Sequence, residues 1–239
     1  MPPKSRRPKI PSEFYRAVDP LFLSLIALIG DQGELNKKSE RDIREVQKQI
    51  DDLIRGVNSR LGERSDWVLA RYAIVCWIDD VVINSECDGN NWWKNNPLER
   101  LLYPDELPDA AIKFFQKGDE AARLPGAEAL SVFVVCLVLG FKGAYLDAEG
   151  DSNSPQYQRL KDIKCPPTRA EWLDQKRARL KKLRERRPEP EPEPIVGDPT
   201  PLMGSQLLIQ RGLLAVVLSV VAGYVYFFVF QSTQAKLGQ

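Results

Sequence analysis

Along this chain apolar residues recur at helical spacing, and no strand-period alternation of useful length interrupts them, so the pattern predicts an all-α fold. The clearest case lies between Ser39 and Leu61, where Ile43, Val46, Ile50, Leu53, Val57 and Leu61 stand 3, 4, 3, 4 and 4 apart. Such spacing lines one face of an amphipathic helix. Ser39 with Asp42 three residues on approximates a capping box at its start, and Gly62 closes it. Before it, LFLSLIALIG is expected to form a mostly buried helix that opens at Asp19-Pro20 and stops at Gly30. After it, DWVLARYAIVCWIDDVVIN, from Ser65 or Asp66 to about Asn84, is apolar nearly all round, which marks the central helix of a helical domain.

The segment Glu86 to Pro108 reads as irregular, with turns at Asp88-Gly89 and Asn90-Asn91, an aromatic anchor at Trp92-Trp93 and a short helix after Pro97. Pro108-Asp109 starts AAIKFFQKGDEAAR, and Pro125 is expected to start a second buried helix through ALSVFVVCLVLGF, too short to span a bilayer. A short helix follows from Pro155 to about Ile163, and Thr168 with Glu171 is a capping signature for the basic helix that ends near Arg187. PEPEPEP, Pro188 to Pro194, favours extended polyproline II, a semi-rigid spacer.

One segment has a different solvent in view. Gly212 to Phe230 is a run of nineteen uncharged residues, bounded by Arg211 and rich in aromatics at its far end. As a helix it spans roughly 28 Å, close to the ~30 Å bilayer core, and predicts one transmembrane crossing. Gly212, Ala215, Ser219 and Gly223, spaced 3, 4 and 4, give it a small-residue face suited to helix pairing. The basic, proline-rich first residues hold no stretch of signal-peptide length. The expected organisation is therefore a disordered basic segment (1–13), a cytoplasmic helical domain (14–187), a Pro/Glu-rich linker (188–211), the transmembrane helix (212–230) and a short periplasmic tail (231–239).

Composition alters this picture in two places. The formal net charge of +1 conceals +4 over Met1 to Lys9, −7 over Ile10 to Leu173, +6 over Asp174 to Arg187 and −2 beyond. Lys176 to Arg187 could attract anionic lipid or present a solvated, partner-facing helix; without interleaved aromatics it does not read nucleic acid. The four cysteines lack metal-site spacing and the chain has no histidine, so no metal, no cofactor and no Ser/His or Cys/His catalytic pair is expected. Free thiols in a reducing compartment fit better.

Three charges interrupt the central helix: Arg71, Asp79 and Asp80. Burying a charge is costly unless it is paired or faces a wet cleft. Neighbouring helical residues point about 100° apart, so the two carboxylates diverge and do not form a catalytic acid and base. Salt bridges to Arg71 or a neighbouring helix, and tuning of a partner-binding groove, are the two readings of the pair.

ARYAIVCWIDDVVI (Ala70 to Ile83), KFFQ (Lys113 to Gln116) and CLVLGFKGAY (Cys136 to Tyr145), in this order and ahead of a C-terminal anchor, resemble the DotU/TssL (IcmH/DotU) family of type VI and type IVB secretion systems. The residues carrying it are Arg71, Tyr72, Trp77, Phe114, Phe115, Gly140, Phe141, Gly143 and Tyr145. Asp80 stands where Glu is commoner, and an FHNETWGG-like stretch is missing. The resemblance implies a non-enzymatic inner-membrane scaffold with a cytoplasmic domain of two packed bundles, dimerising partly through its anchor. Its implied partners are a TssM/IcmF-like membrane protein and TssK-like and TssE-like baseplate components, with Asp79 and Asp80 in a partner-binding cleft.

Overall fold

The computed structural model of the chain describes residues 12–105, 109–148 and 151–186. Among these residues it is all-helical, with no strand. The basic N-terminus through residue 11, the PEPEPEP spacer and the apolar run with Gly212, Ala215, Ser219 and Gly223 lie outside them. No helix of the described part is long and apolar enough to cross a membrane.

The first helix, α1, runs Glu13–Ile29 rather than starting at Asp19. Phe14, Ala17 and Val18 are buried in phase with Leu21, Phe22, Leu25 and Ile29, so a single apolar face extends across Pro20. Burying Phe14 and Val18 contributes roughly 1.5–3 kcal/mol each, enough to offset the ~3 kcal/mol that an interior proline costs. Pro20 and Asp19 both stand on the solvent side. Gly30 closes the helix by donating its N–H to Ile26 O, as expected.

A short helix that the pattern did not reveal, α2 (Gln32–Asn36), is capped by Asp31 accepting from Glu34 N and buries only Leu35. The long α3 (Glu40–Leu61) carries the full capping box of Ser39 and Asp42, and ends at Gly62, whose φ of 60° suits glycine. Its stripe is Ile43, Val46, Ile50, Ile54, Val57 and Leu61; Ile54 occupies the place expected of Leu53, which is only half-buried. α4 (Ser65–Ile83) is the central helix, with every residue from Tyr72 to Asp79 buried.

Between α4 and the next long helix the chain is more ordered than its turn signals suggest. Asn90 and Asn91, read as a turn, open α5 (Asn90–Asn95), and α6 (Leu98–Leu102) follows Pro97 as expected. Then come α7 (Ala110–Arg123), α8 (Glu128–Val138), α9 (Tyr145–Ala148), α10 (Pro155–Asp162) and α11 (Arg169–Arg186). α8 begins three residues later than Pro125, because Pro125 to Ala127 are spent on the bend that brings it back beside α7.

Packing is organised by α4, which touches α1, α3, α5 and α6 as well as α7 and α8. Three helices start at the same level and run in the same direction: Arg64 before α4 pairs with Glu13 of α1 at 3.6 Å, and Tyr15 of α1 meets Ser131 of α8 at 3.2 Å. Further along, Phe22 and Trp77 have ring centroids 5.9 Å apart, and Asp80 reaches the chain just past α8. α11 closes over α7 and α8.

Candidate functional site

The two aspartates near the C-terminal end of α4 face different neighbours. Asp79 is only 4% exposed, and all its accepting capacity is directed inward. Its Oδ1 accepts from Trp93 Nε1 at 2.7 Å and from Leu98 N at 2.8 Å, while Oδ2 accepts from Glu99 N at 2.9 Å. Leu98 and Glu99 open α6, whose first N–H groups have no partner within the helix. A carboxylate on a different helix thus caps α6, and the indole N–H fixes α5 to the same point.

Asp80, one residue on, turns to the opposite neighbour. Its Oδ2 accepts from Lys142 N at 3.1 Å, and a second backbone donor comes from Gly143. Burial pushes both carboxyls up: Asp79 moves from the usual 3.8 to about 6, with the three donors pulling the other way. Asp80 is raised by the same cause, opposed by the Lys142 and Gly143 donors.

Arg71 does not pair with either aspartate. Its guanidinium donates to Asn58 Oδ1 at 2.8 Å and to Tyr103 Oη at 3.1 Å, and lies 5.5 Å from the Tyr103 ring centroid. The next residue in α4, Tyr72, donates to Glu99 Oε1 at 2.6 Å, and Lys117 sits 4.5 Å over the Tyr72 ring. Glu99 is 5% exposed, so a second acidic residue is buried here, its backbone N–H bonded to the first. Desolvation raises the Tyr72 phenol and the thiol of fully buried Cys76, which keeps both in their neutral forms.

Of the aromatic motif residues, Phe114, Phe115, Phe141 and Tyr145 form one continuous cluster with Trp172, while Tyr72 and Trp77 meet Tyr103 and Phe22 instead. Phe114 stacks on Phe141 at 4.0 Å, and Phe115 meets Tyr145 edge-on at 4.9 Å and Trp172 at 5.4 Å. Tyr145 donates to Pro166 O at 2.7 Å, and Arg169 donates to Phe141 O at 3.1 Å, so α11 is tied to the same turn that Asp80 holds. That turn needs its glycines. Gly140 and Gly143 have φ of 108° and 53°, and a Cβ on Gly143 would stand 2.8 Å from the Phe141 ring.

The central helix thus turns one carboxylate to α6 and the next to a glycine-rich turn just past α8. The sequence model of one family, type VI secretion system protein DotU, matches residues 14–232. The chain belongs to the DotU family. No curated protein and no solved structure matches it. DotU proteins are secretion-system components and not a known enzyme family, and membership of that family makes this chain a membrane-associated secretion-system component.

Within this DotU-family domain, the motif residues Tyr72, Trp77, Phe114, Phe115, Phe141 and Tyr145 are all buried, while Gly140 and Gly143 shape the turn. Arg71 stands apart with Asn58 and Tyr103, and Asp79 and Asp80 face different partners. Sequence reading missed Glu99, Gly118 and Trp172. Gly118 leaves room for Trp172, since a Cβ there would come within 2.8 Å of the indole. The one signal pointing to Glu99 was its place two residues after Pro97, in the first turn of a short helix, where a charge is ordinarily solvated. The cysteines are free, and burial pushes the half-buried Cys165 thiol up to about 12.

Proposed function

We propose that the chain is a tail-anchored inner-membrane scaffold of a type VI secretion system. Its helical domain stands in the cytoplasm, binds a TssM/IcmF-like membrane protein and recruits TssK-like and TssE-like baseplate components. The observation that carries this reading is the extent of the family match, which runs beyond the helical domain and takes in the apolar segment Gly212 to Phe230. That segment's length supports a single crossing, and its Gly212, Ala215, Ser219, Gly223 face supports self-association.

The acidic pair divides its work in this reading. Asp79 keeps α5 and α6 in place, and Asp80, half-buried beside Lys142, borders the surface offered to a partner. Affinity purification of the full-length protein from detergent-solubilised membranes, followed by mass spectrometry, tests the scaffold. The expected result is co-recovery of a TssM-like protein and baseplate components, with an Asp80→Ala variant losing part of that set while remaining folded. Recovery of a type IVB secretion apparatus instead would assign the chain to that system, and recovery of neither would overturn the scaffold reading.

A further inference from the structure

The basic segment near the end of the helical domain is a packed helix with two different faces. Trp172, Leu180 and Leu183 of α11 are buried, Lys176 is ion-paired with Asp119 of α7, and Arg179 donates to Ala122 O at 2.8 Å. These contacts suffice to dock α11. The remaining cations on the other side have no such duty: Arg177 has only the exposed Asp174 at 3.8 Å, and Lys181, Lys182 and Arg184 have no ion pair among the described residues.

Those cations edge a groove. Between α8 and α11 lies an open depression of about 470 Å³ lined by Ser131, Val134, Val135 and Leu180, with Arg177, Lys181, Arg184 and Glu185 along its rim, so the rim is cationic on balance, three positive charges to one negative. The apolar surface continues along α8, where Val135, Val138 and Leu139 are 40%, 59% and 36% exposed. An apolar floor with a cationic rim has two requirements of an occupant: an aliphatic stripe to cover the floor and negative charge beside it. A flat anionic headgroup layer meets the rim and leaves the floor uncovered. An amphipathic helix meets both, by the same geometry through which helices fill grooves elsewhere.

We propose that the groove between α8 and α11 is a docking site for an acidic, amphipathic helical segment of a partner protein. From Arg177 to Glu185 the groove follows α11 for roughly 12 Å, so the occupant contributes two to three turns. Its leucine-like side chains lie against Val134, Val135 and Leu180, and its carboxylates meet Arg177, Lys181 and Arg184. The described helices alone define this surface, so it stands or falls separately from the secretion-complex reading.

The test uses full-length protein in phosphatidylcholine nanodiscs and a fluorescein-labelled peptide of about eleven residues, three helical turns, with leucine at i, i+3 and i+7 and glutamate elsewhere. A matched peptide with lysine for glutamate is the control. The glutamate peptide is expected to bind saturably and the lysine peptide not to bind. Lys181→Glu with Arg184→Glu should weaken binding at least about tenfold, equivalent to roughly 1.4 kcal/mol, without altering thermal unfolding. Val135→Ser, changing a partly exposed floor position, should weaken it as well with the rim intact. Equal binding of both peptides, or indifference to the rim and floor substitutions, overturns the proposal. So does rim-dependent sedimentation with phosphatidylglycerol vesicles in the absence of peptide binding, which would assign the cations to a lipid surface.

Discussion

Two charged regions of this domain are built in opposite ways. Around α4 and α6, Asp79 and Glu99 are buried at 4% and 5% exposure, with backbone N–H groups, an indole and a phenol supplying their donors. Along the outer side of α11, cations lie in water beside an apolar groove and have little to hold them. Removing a buried group leaves its partners unsatisfied, whereas removing a solvated one leaves them with water. The first region therefore determines whether α5 and α6 stay on the domain, and the second is free to determine what binds to it.

The largest expected effect comes from breaking the buried side. Asp79→Ala leaves three buried N–H donors without an acceptor, at about 1–3 kcal/mol each before relaxation, so the domain should lose roughly 4 kcal/mol in urea unfolding. A loss below ~1 kcal/mol would mean that water replaces the carboxylate and the capping role is wrong. Because the folded state is the better proton binder at Asp79, this group's favourable contribution is full below about pH 4. It fades as the pH rises through about 6. The span is on the order of 3 kcal/mol, and Asp79→Asn should flatten that part of the stability profile; an unchanged profile would place the titration elsewhere.

A smaller effect is expected at Gly118. A Cβ there meets the Trp172 and Phe133 rings at 2.8 and 3.2 Å, so Gly118→Ala should cost about 1–3 kcal/mol from overpacking, partly offset by the ~1 kcal/mol that alanine contributes in a helix. A net gain in melting temperature would show that α11 shifts outward without penalty. The smallest effect belongs to the exposed side, where Lys181→Glu with Arg184→Glu should move folding stability by no more than about 0.5 kcal/mol. A larger loss would tie those cations to the fold and remove the contrast between the two regions.

Much of the helical layout was legible because it depends on local patterns. The Ser39/Asp42 box, the stop at Gly62, the Asp109 start of α7 and the Thr168 cap of α11 are all short-range features, and each is present. Where reading went astray, a distant contact had intervened. Asp19-Pro20 has the composition of a helix start, yet burial of Phe14 and Val18 carries α1 through it. Leu53 and Ile54 are equally apolar, and only the direction of the neighbouring helices selects Ile54 for the core.

The same division holds for the candidate site. From sequence alone came an all-α domain, a central buried helix and the divergence of Asp79 and Asp80, because helical geometry acts over a few residues, while the family resemblance singled out the aromatic and glycine positions of the motif. The tertiary structure alone decided that Asp79 caps a helix nineteen residues further on, that Arg71 pairs with Asn58 rather than with the aspartates, and that a basic helix buries Trp172 while leaving Lys181 and Arg184 in water. Those outcomes depend on which surfaces meet in space, and a charge's partner is set by that meeting rather than by its neighbours along the chain.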